Sequence, residues 1–339
     1  MHFIIVGAGS IGCYVGGRLA AAGQRVAFVG RPRTMAPLAQ GGLTVSDLEG
    51  FKAHLETSQL VLADSVALAW SKLQDSKEPT VVLLCVKGGA TEAAAREIGA
   101  ACPSDTVVVS LQNGVENVAR ITNAAPHLQA VAGMAPYNVV ALQPNQVHRG
   151  TVGSLCLADS PVTRDMAAVL TASGLPTVLA PDMRAVQWGK LLLNLNNPVN
   201  ALSDLPLREE LTDRDYRHVL AALQTEALAV MARADIQPAK ASAVAPSMLP
   251  HVLRLPNWLF TRVAARMLRM DAQARSSMWE DMQQGRTTEI EDLCGAVVRL
   301  AAQHHTTAPL SAAMCQMVAA HQKGQRITGQ ALRQTLGIA

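Results

Sequence analysis

A glycine-rich motif near the N-terminus restricts the fold of this chain more than any other feature of its 339 residues. The motif has the form G-x-G-x-x-G, and its residues are Gly7, Ala8, Gly9, Ser10, Ile11 and Gly12. It lies between an apolar run, Phe3–Val6, and a helical stretch, Ile11–Ala22. In that setting Gly7 permits a tight turn, Gly9 lets the backbone approach a pyrophosphate and Gly12 allows close packing of helix on strand. The motif predicts a dinucleotide-binding unit, because the helix N-terminus then offers free N–H groups to phosphates. A glycine-rich turn without a ligand is the alternative.

The first half of the chain alternates short apolar runs with helical stretches, which is typical of a parallel sheet with crossover helices. Further strands are predicted at Arg25–Val29, Val81–Val86 and Thr106–Ser110, and further helices at Thr91–Ala100 and Val115–Thr122. The pattern is weak between residues 42 and 80. There, Leu43–Leu55 is compatible with a hairpin, and Ala67–Glu78 is interpreted as an exposed insertion that lengthens the region 60–80.

From about Pro181 onward the periodicity becomes helical. The predicted helices are Arg184–Leu195, Tyr216–Ala234, Trp258–Gln284 and Thr288–Gln303. We therefore expect an α/β protein, with a Rossmann-type parallel-sheet domain over residues 1–180 and an all-α domain over residues 181–339.

Composition excludes several classes of protein. Apolar residues make up 49% of the chain and charged residues 16%, which indicates packed cores. Aromatic residues are only 3%, which argues against a surface that stacks nucleic-acid bases. The net charge of +3 is too small to indicate a polyanionic partner. No apolar run approaches the length of a membrane-spanning helix, and no signal peptide is recognisable.

The cysteines favour a reducing compartment, and we expect a cytoplasmic protein. No two of them have C-x-x-C spacing, and we expect no metal site. They are Cys13, Cys85, Cys102, Cys156, Cys294 and Cys315.

The end of the second predicted strand indicates which dinucleotide is bound. Enzymes that use NAD place an acidic residue there, where it holds the ribose 2′-hydroxyl. This chain instead has Arg31 and Arg33. Guanidinium groups suit the additional 2′-phosphate of NADPH, so NADPH is favoured over NADH. A solvated basic turn is the alternative, more so for Arg33 than for Arg31.

Two further polar segments follow predicted strands. Lys87 comes after Val81–Val86, and Gln112-Asn113-Gly114 comes after Thr106–Ser110. Residues at the carboxyl ends of parallel strands face the ligand crevice, so both segments are candidates for contact with cofactor or substrate. A plain surface lysine and an Asn-Gly turn are the alternatives.

In the second half, polar residues interrupt apolar helical sequence. Lys190 and Asn194 are four residues apart and share a helix face, and Asn197 is predicted to continue the same stripe. Polar groups buried among leucines need partners, and a polar ligand is the simplest one. A cluster of capping asparagines before Pro198 is the alternative.

A second polar segment lies closer to the C-terminus. Ser277 and Asp281 share a face by the same spacing. Thr288 and Glu291 have the spacing of an N-cap and its capping-box acid, which leaves Glu289 without a structural explanation.

Together these motifs resemble the ketopantoate reductase family, in the order that is typical of the family and over nearly the whole chain. The resemblance implies an NADPH-binding Rossmann domain, a helical second domain and reduction of 2-dehydropantoate to pantoate for coenzyme A synthesis. It implies that Lys190 is the general acid and that Glu289 holds the region of the substrate hydroxyl. It also implies that Asn113, Asn194 and Ser277 bind substrate and that Asp281 supports the site.

One position departs from the family pattern. The family often has an asparagine eight residues after the lysine, where this chain has Pro198, so Asn197 or Asn200 is expected to replace it.

Two other functions are compatible with the sequence. One is reduction of a different small 2-oxo acid. The other is a non-catalytic NADPH-binding or interaction protein, for which Arg262, Arg266 and Arg269 would form a basic helical stripe. A homodimer is also compatible with the sequence, and neither nucleic acid nor membrane is expected as a partner.

Overall fold

The computed structural model of the chain describes residues 1–73, 78–265, 268, 271 and 273–338. The chain forms two compact units, Met1–Met183 and Arg184–Ala339. The strands of the described residues all belong to the first unit, and residues 184–338 form helices and turns wherever they are described. Among the described residues, no helix is both long and apolar enough to cross a membrane.

The first unit contains a mostly parallel sheet of eight strands. Its order is β12-β11-β8-β7-β6-β1-β2-β5. All of its neighbouring strands are parallel except β8 and β11. The strands are β1 His2–Val6, β2 Arg25–Val29, β3 Leu43–Asp47, β4 Lys52–Leu55, β5 Val61–Ala63, β6 Thr80–Leu84, β7 Val107–Ser110, β8 Gln129–Met134, β9 Val139–Gln143, β10 Gln146–Arg149, β11 Leu155–Ala158 and β12 Thr177–Ala180.

Helices cover both faces of this sheet, which explains why its central strands are apolar throughout. Every residue of β1 is buried, as are four of the five residues of β6. The helices are α1 Ser10–Ala21, α2 Pro32–Gly41, α3 Val66–Leu73, α4 Thr91–Ala101, α5 Asn117–Ala124 and α6 Pro161–Ala172. The predicted fold class, a parallel-sheet region followed by a helical one, is confirmed.

The interpretation of Ala67–Glu78 as an exposed insertion is wrong for the part that the structure describes. Val66, Ala69 and Leu73 of α3 are buried against the large sheet. This helix lies between β5 and β6 in the chain, so it is part of the parallel fold. Its buried positions are three and four residues apart, a spacing that the apolar residues Ala67, Leu68 and Trp70 between them obscure in the sequence. Residues 74–77 of the predicted insertion lie outside the described residues.

A second sheet of four strands has the order β4-β3-β10-β9. The hairpin predicted at Leu43–Leu55 is confirmed as β3 and β4, whereas β9 and β10 were not predicted from the sequence. A buried ion cluster joins this small sheet to α1. Asp47 Oδ2 accepts hydrogen bonds from Arg18 Nη1 at 3.0 Å and from Arg149 Nη2 at 3.2 Å. Charges that are paired in this way can be tolerated in an apolar interior.

The second unit consists of ten α-helices and connecting turns among its described residues. The helices are α7 Met183–Asn194, α8 Asn196–Ser203, α9 Leu207–Thr212, α10 Arg214–Arg233, α11 Leu249–Leu253, α12 Asn257–Val263, α13 Ser277–Gln283, α14 Ile290–Gln303, α15 Pro309–Ala320 and α16 Gly329–Thr335. The single helix predicted at Trp258–Gln284 is wrong, because α12 ends at Val263 and a new helix begins at Ser277. Ser276 caps this new helix by accepting a hydrogen bond from the Trp279 N–H. Arg266 and Arg269 of the predicted basic stripe lie outside the described residues.

Two other local predictions for the second unit are wrong. The stripe from Lys190 to Asn197 is interrupted at Leu195, because Pro198 has no N–H to donate to the carbonyl of Asn194. The capping box of Thr288 and Glu291 does not form either. Glu289 occupies the N-cap position of α14, and the Glu291 carboxylate contacts Arg299 Nη1 at 3.4 Å.

Candidate functional site

The glycine-rich loop connects β1 to α1, and two of its glycines are required by the fold. Gly7 has a φ of 104°, and a Cβ there would lie 2.6 Å from the backbone nitrogen of Val86. A Cβ on Gly12 would overlap the carbonyl oxygen of Gly7. Gly9 differs, since a Cβ there would meet no atom within 4 Å. The absence of a side chain at Gly9 therefore leaves open space at the N-terminus of α1.

The remaining residues of the loop complete a cradle for an anion. Ala8 is buried, and its N–H donates to the carbonyl of Val29 at the end of β2. Gly9 is the N-cap of α1, and Ser10 and Ile11 follow in its first turn. The N–H groups of a first helical turn have no partner within the helix and carry the positive end of its dipole. The loop thus fits the pyrophosphate of a dinucleotide.

Four parallel strands of the first unit end at one edge of the large sheet. Val6 pairs with both Val29 and Leu84, and Leu84 pairs with Ser110. The segments that follow these strands are therefore neighbours. They are the loop of Gly7 to Gly12, the turn at Arg31, the turn at Lys87 and the segment of Gln112 and Asn113.

Arg31 and Lys87 are both exposed at this edge. Arg31 is the N-cap of α2, and its carbonyl accepts hydrogen bonds from the N–H groups of Thr34 and Met35. These bonds fix the backbone of Arg31 after the end of β2, and they do not involve its guanidinium group. Lys87 precedes a single 3₁₀ turn at Gly88–Ala90. Arg33, inside α2, is exposed as well.

The Gln112 side chain makes its hydrogen bonds within the protein. Its Nε2 donates to the carbonyl of Val86 at 2.9 Å and to Thr91 Oγ1 at 2.7 Å. Asn117 continues the network by accepting from Thr91 and donating to the carbonyl of Asn113. Asn113 is only partly buried. Sequence reasoning missed Thr91 and Asn117, which fix the loops after β6 and β7.

A narrow crevice in the second unit brings together four of the predicted site residues. Its open space, including that at its mouth, is about 150 Å³, and no part of it is wide enough to hold a water molecule. Its lining is Asn197, Ser277, Met278, Asp281, Glu289 and Leu293. These residues come from α8, from α13, from the N-cap of α14 and from its first turn. Residues almost a hundred positions apart in sequence therefore line one small polar crevice with an apolar side.

Asp281 is held in place by Arg286. The Asp281 side chain is almost fully buried, and its Oδ1 lies 2.9 Å from Arg286 Nε. The N–H of Arg286 also donates to the carbonyl of Asp281 at 2.8 Å. Arg286, which follows the end of α13, thus neutralises the buried carboxylate of Asp281. Sequence reasoning did not assign this role to Arg286.

Asn197, and not Asn200, is the asparagine that reaches the crevice. The Asn200 side chain is fully buried, and its amide bonds to Glu210, to the carbonyl of Leu205 and to the N–H of Ser276. Of the two asparagines that were expected to replace the family residue at Pro198, only Asn197 lines the crevice.

Lys190 and Asn194 lie on α7 and are not part of this lining. Lys190 keeps some contact with solvent, yet it is surrounded mostly by protein, and burial lowers the pKa of its ammonium group below the usual range. In the part of the chain that the structure describes, no carboxylate pairs with Lys190. A lysine in such surroundings gives up its proton more readily than one in water.

Comparison with known proteins decides the family. Residues 3–161 match the family described as ketopantoate reductase PanE/ApbA, and residues 182–322 match the C-terminal part of the same family. The chain belongs to the ketopantoate reductase family. As a member of this family it is an oxidoreductase.

Individual relatives cover almost the whole chain. The 2-dehydropantoate 2-reductase of Halobacterium salinarum is 28% identical over 325 residues, covering 94% of this chain and 98% of the relative. A PanE/ApbA family ketopantoate reductase from Ralstonia eutropha has a similar structure, with a TM-score of 0.78 and 25% identity over 94% of this chain and 97% of that one. D-mandelate dehydrogenase, solved with NADH and anilino(oxo)acetate, shares the fold with a TM-score of 0.73 and 19% identity over the full length of both chains.

Proposed function

We propose that this ketopantoate reductase family member reduces the 2-oxo group of 2-dehydropantoate to pantoate with NADPH, as a step towards pantothenate and coenzyme A. The observation that carries the proposal is the crevice in which Asn197, Ser277, Asp281 and Glu289 meet. Amide, hydroxyl and carboxyl groups together suit a small substrate that has a carboxylate, a carbonyl and a hydroxyl. The apolar side chains of Met278 and Leu293 suit its methyl-bearing carbon.

Lys190 is proposed as the proton donor of the reaction. The nicotinamide, when bound, supplies a hydride to the carbonyl carbon of the substrate, and negative charge then develops on the carbonyl oxygen. A positioned ammonium group stabilises that charge and can donate a proton to the oxygen. The lowered pKa of Lys190 suits it to this role. Asn194 is proposed to bind the substrate from the same face of α7, and Glu289 to hold the substrate hydroxyl.

The cofactor is proposed to bind at the edge where the four parallel strands end. The N–H groups at Gly9 and Ser10 would hold the pyrophosphate, and Lys87 and Asn113 would contact the cofactor from the neighbouring loops. Preference for NADPH rests on Arg31, because a guanidinium can pair with the 2′-phosphate and the end of β2 has no acidic residue. The D-mandelate dehydrogenase of similar fold was solved with NADH, so the preference has to be measured.

A second candidate function is the reduction of an aryl 2-oxo acid. It is favoured by the similarity of fold to D-mandelate dehydrogenase over the full length of the chain. The polar crevice argues against it, because four of its six lining residues, Asn197, Ser277, Asp281 and Glu289, have polar side chains and an aromatic ring offers them no hydrogen bonds.

A substrate panel tests these proposals. Consumption of NADPH is measured with 2-dehydropantoate, pyruvate, 2-oxoisovalerate, oxaloacetate and phenylglyoxylate, and the series is repeated with NADH. We expect the highest kcat/KM with 2-dehydropantoate and NADPH. Preference for phenylglyoxylate would favour the second candidate, and binding of NADPH without turnover of any oxo acid would indicate a non-catalytic protein. The homodimer and the cytoplasmic location remain predictions, and light scattering would test the first of them.

A further inference from the structure

Glu210 is the most deeply buried carboxyl group of the second unit that the proposed reaction does not use. It lies on α9 and is fully buried. Its Oε2 accepts hydrogen bonds from Asn200 Nδ2 at 2.8 Å and from Asn196 Nδ2 at 3.3 Å. Its Oε1 is buried and has no hydrogen-bond partner among the described residues. A charged carboxylate in this position would be strongly destabilising, so the group has to be neutral or to serve a purpose that outweighs the cost.

The hydrogen bonds of Asn200 connect this carboxyl to the crevice. Asn200 Nδ2 donates to Glu210 and to the carbonyl of Leu205, and its Oδ1 accepts from the N–H of Ser276 at 2.8 Å. If the Asn200 amide were rotated by 180°, its NH2 group would face the Ser276 N–H, and neither group could accept a hydrogen bond. The Ser276 N–H and the Leu205 carbonyl therefore fix the orientation of the Asn200 amide, and Glu210 Oε2 accepts from the Nδ2 that this orientation directs towards it.

Ser276 in turn ties α8 to α13. Its Oγ donates to the carbonyl of Asn197 at 3.2 Å and accepts from the N–H of Trp279, the bond that caps α13. A third link joins the same helices, since Trp279 Nε1 donates to Asp204 Oδ1 at 2.6 Å. Both Asn197 and Ser277 line the crevice. Asn197 is hydrogen-bonded to Ser276, and Ser277 is the next residue in the chain.

We propose that Glu210 is a positioning residue, which acts through Asn200 and Ser276 to hold α8 and α13 at the spacing that the substrate crevice requires. The proposal rests on the proposed reductase function, because it assigns Glu210 to the binding of the oxo acid. Glu210 does not line the crevice, so its effect on the substrate is indirect.

Electrostatic surroundings give the proposal a second readout. Burial raises the pKa of the Glu210 carboxyl to about 8, although the amides of Asn200 and Asn196 oppose the shift. Asp213, at the N-cap of α10, adds repulsion, the Tyr216 phenol of α10 also interacts with the carboxyl, and α8 contributes the two amides. Glu210 is thus neutral at pH 7 and becomes charged in weak alkali. The charge should strain the links that Asn200 makes and weaken substrate binding.

Three variants separate positioning from simple packing. Glu210→Leu keeps most of the volume and removes the acceptor, Glu210→Gln keeps an acceptor and cannot ionise, and Glu209→Leu changes the exposed neighbour on the same helix. We expect Glu210→Leu to raise the KM for the oxo acid about tenfold, the effect of losing a buried hydrogen bond or two, with NADPH affinity unchanged. Glu210→Gln and Glu209→Leu should stay within about twofold of the wild type at pH 7. In hydrogen exchange, the amides of α13 should exchange faster in Glu210→Leu alone.

The pH profile completes the test. Above about pH 8 the KM of the wild type should rise more steeply than that of Glu210→Gln, and since both contain Lys190 the difference between them reports Glu210. Equal KM values and equal exchange of α13 in Glu210→Leu and Glu209→Leu would overturn the proposal. If Glu210→Leu does not fold, a Glu210→Gln profile that matches the wild type would overturn it instead. A wild type that turns over no oxo acid would refute the proposed function, and hydrogen exchange would still decide the role of Glu210.

Discussion

The dinucleotide loop of the first unit is built from backbone, whereas the crevice of the second unit is built from side chains. The loop uses consecutive residues, Gly7 to Gly12, and the groups that it offers to a ligand are backbone N–H groups, which every residue except proline provides. The crevice draws on three helices, and its polar groups depend on the identity of Asn197, Ser277 and Glu289. Ligand binding at the loop should therefore be weakened by added side-chain atoms, and ligand binding at the crevice by the removal of side-chain groups.

This difference also extends to what holds each part in place. The loop is held by the register of β1 with β2 and β6, which involves backbone hydrogen bonds along the whole sheet. The crevice is held by a few side-chain bonds among Asn200, Glu210 and Ser276. A few substitutions should thus be able to change substrate binding in the second unit without affecting the cofactor end of the first.

Lys190→Met is expected to have the largest effect. It should reduce kcat by roughly 10²–10⁴, the range for loss of a positioned proton donor. NADPH affinity should survive, because the proposed phosphate contacts lie in the first unit. Steady-state kinetics and a fluorescence titration of NADPH measure the two effects. A near-normal kcat would remove Lys190 as the general acid.

The same variant should be more stable than the wild type. Burial disfavours the charged form of Lys190 in the folded state, which lowers its pKa, so the wild type carries a penalty below the folded pKa that methionine removes. The gain in melting temperature should shrink as the pH rises through the folded pKa towards the unfolded value of about 10.4. Lys240→Met, at an exposed position of the same unit, is the control and should show no gain.

Arg31→Ala should raise the KM for NADPH by roughly 10–100-fold, the range for loss of hydrogen bonds between charged groups. The KM for NADH should hardly change, because NADH has no 2′-phosphate. Arg33→Ala, two residues further along in the first turn of α2, is the matched control, and we expect a smaller effect there. If the wild type used both cofactors equally well, the assignment of Arg31 would be wrong.

A pair of glycine variants gives the smallest effect on binding and the sharpest contrast. In Gly9→Ala the new methyl meets no protein atom, so thermal stability should persist while NADPH binds about tenfold more weakly, as expected if the backbone approaches the pyrophosphate. Gly12→Ala should instead lower the melting temperature, because its methyl would overlap the carbonyl oxygen of Gly7. Equal NADPH affinity in Gly9→Ala and the wild type would argue against a phosphate at the loop.

Sequence reasoning succeeded where a local pattern determines structure. The strands β1, β2, β6 and β7 were predicted to within a few residues, since continuous apolar runs between turns are typical of buried parallel strands. The residues Asn197, Ser277, Asp281 and Glu289 were identified as candidates, and the structure brings them together. Their roles in catalysis remain proposals.

It failed where distant residues determine structure. Helix α3 was interpreted as an exposed insertion, because only its packing on the sheet shows that Val66, Ala69 and Leu73 form its buried face. Asn200 looked equivalent to Asn197 as a substrate ligand, and sequence reasoning did not single out Glu210. Only the contacts that α8 makes with α9 and α13 show that both side chains are buried.

The ion cluster beneath the small sheet determines how the first unit should come apart in acid. Burial tends to raise the pKa of Asp47, but the N–H groups of Phe51 and Glu49 together with Arg149 and Arg18 outweigh it, and the net shift is downward. This stabilisation is present above the unfolded pKa and is lost as the pH falls through the folded one. Protonated Asp47 would leave two buried guanidinium groups without their shared anion. Acid should therefore release the strands β3 and β4 from α1 first, and an acid protease should cut this hairpin while the eight-stranded sheet is still intact.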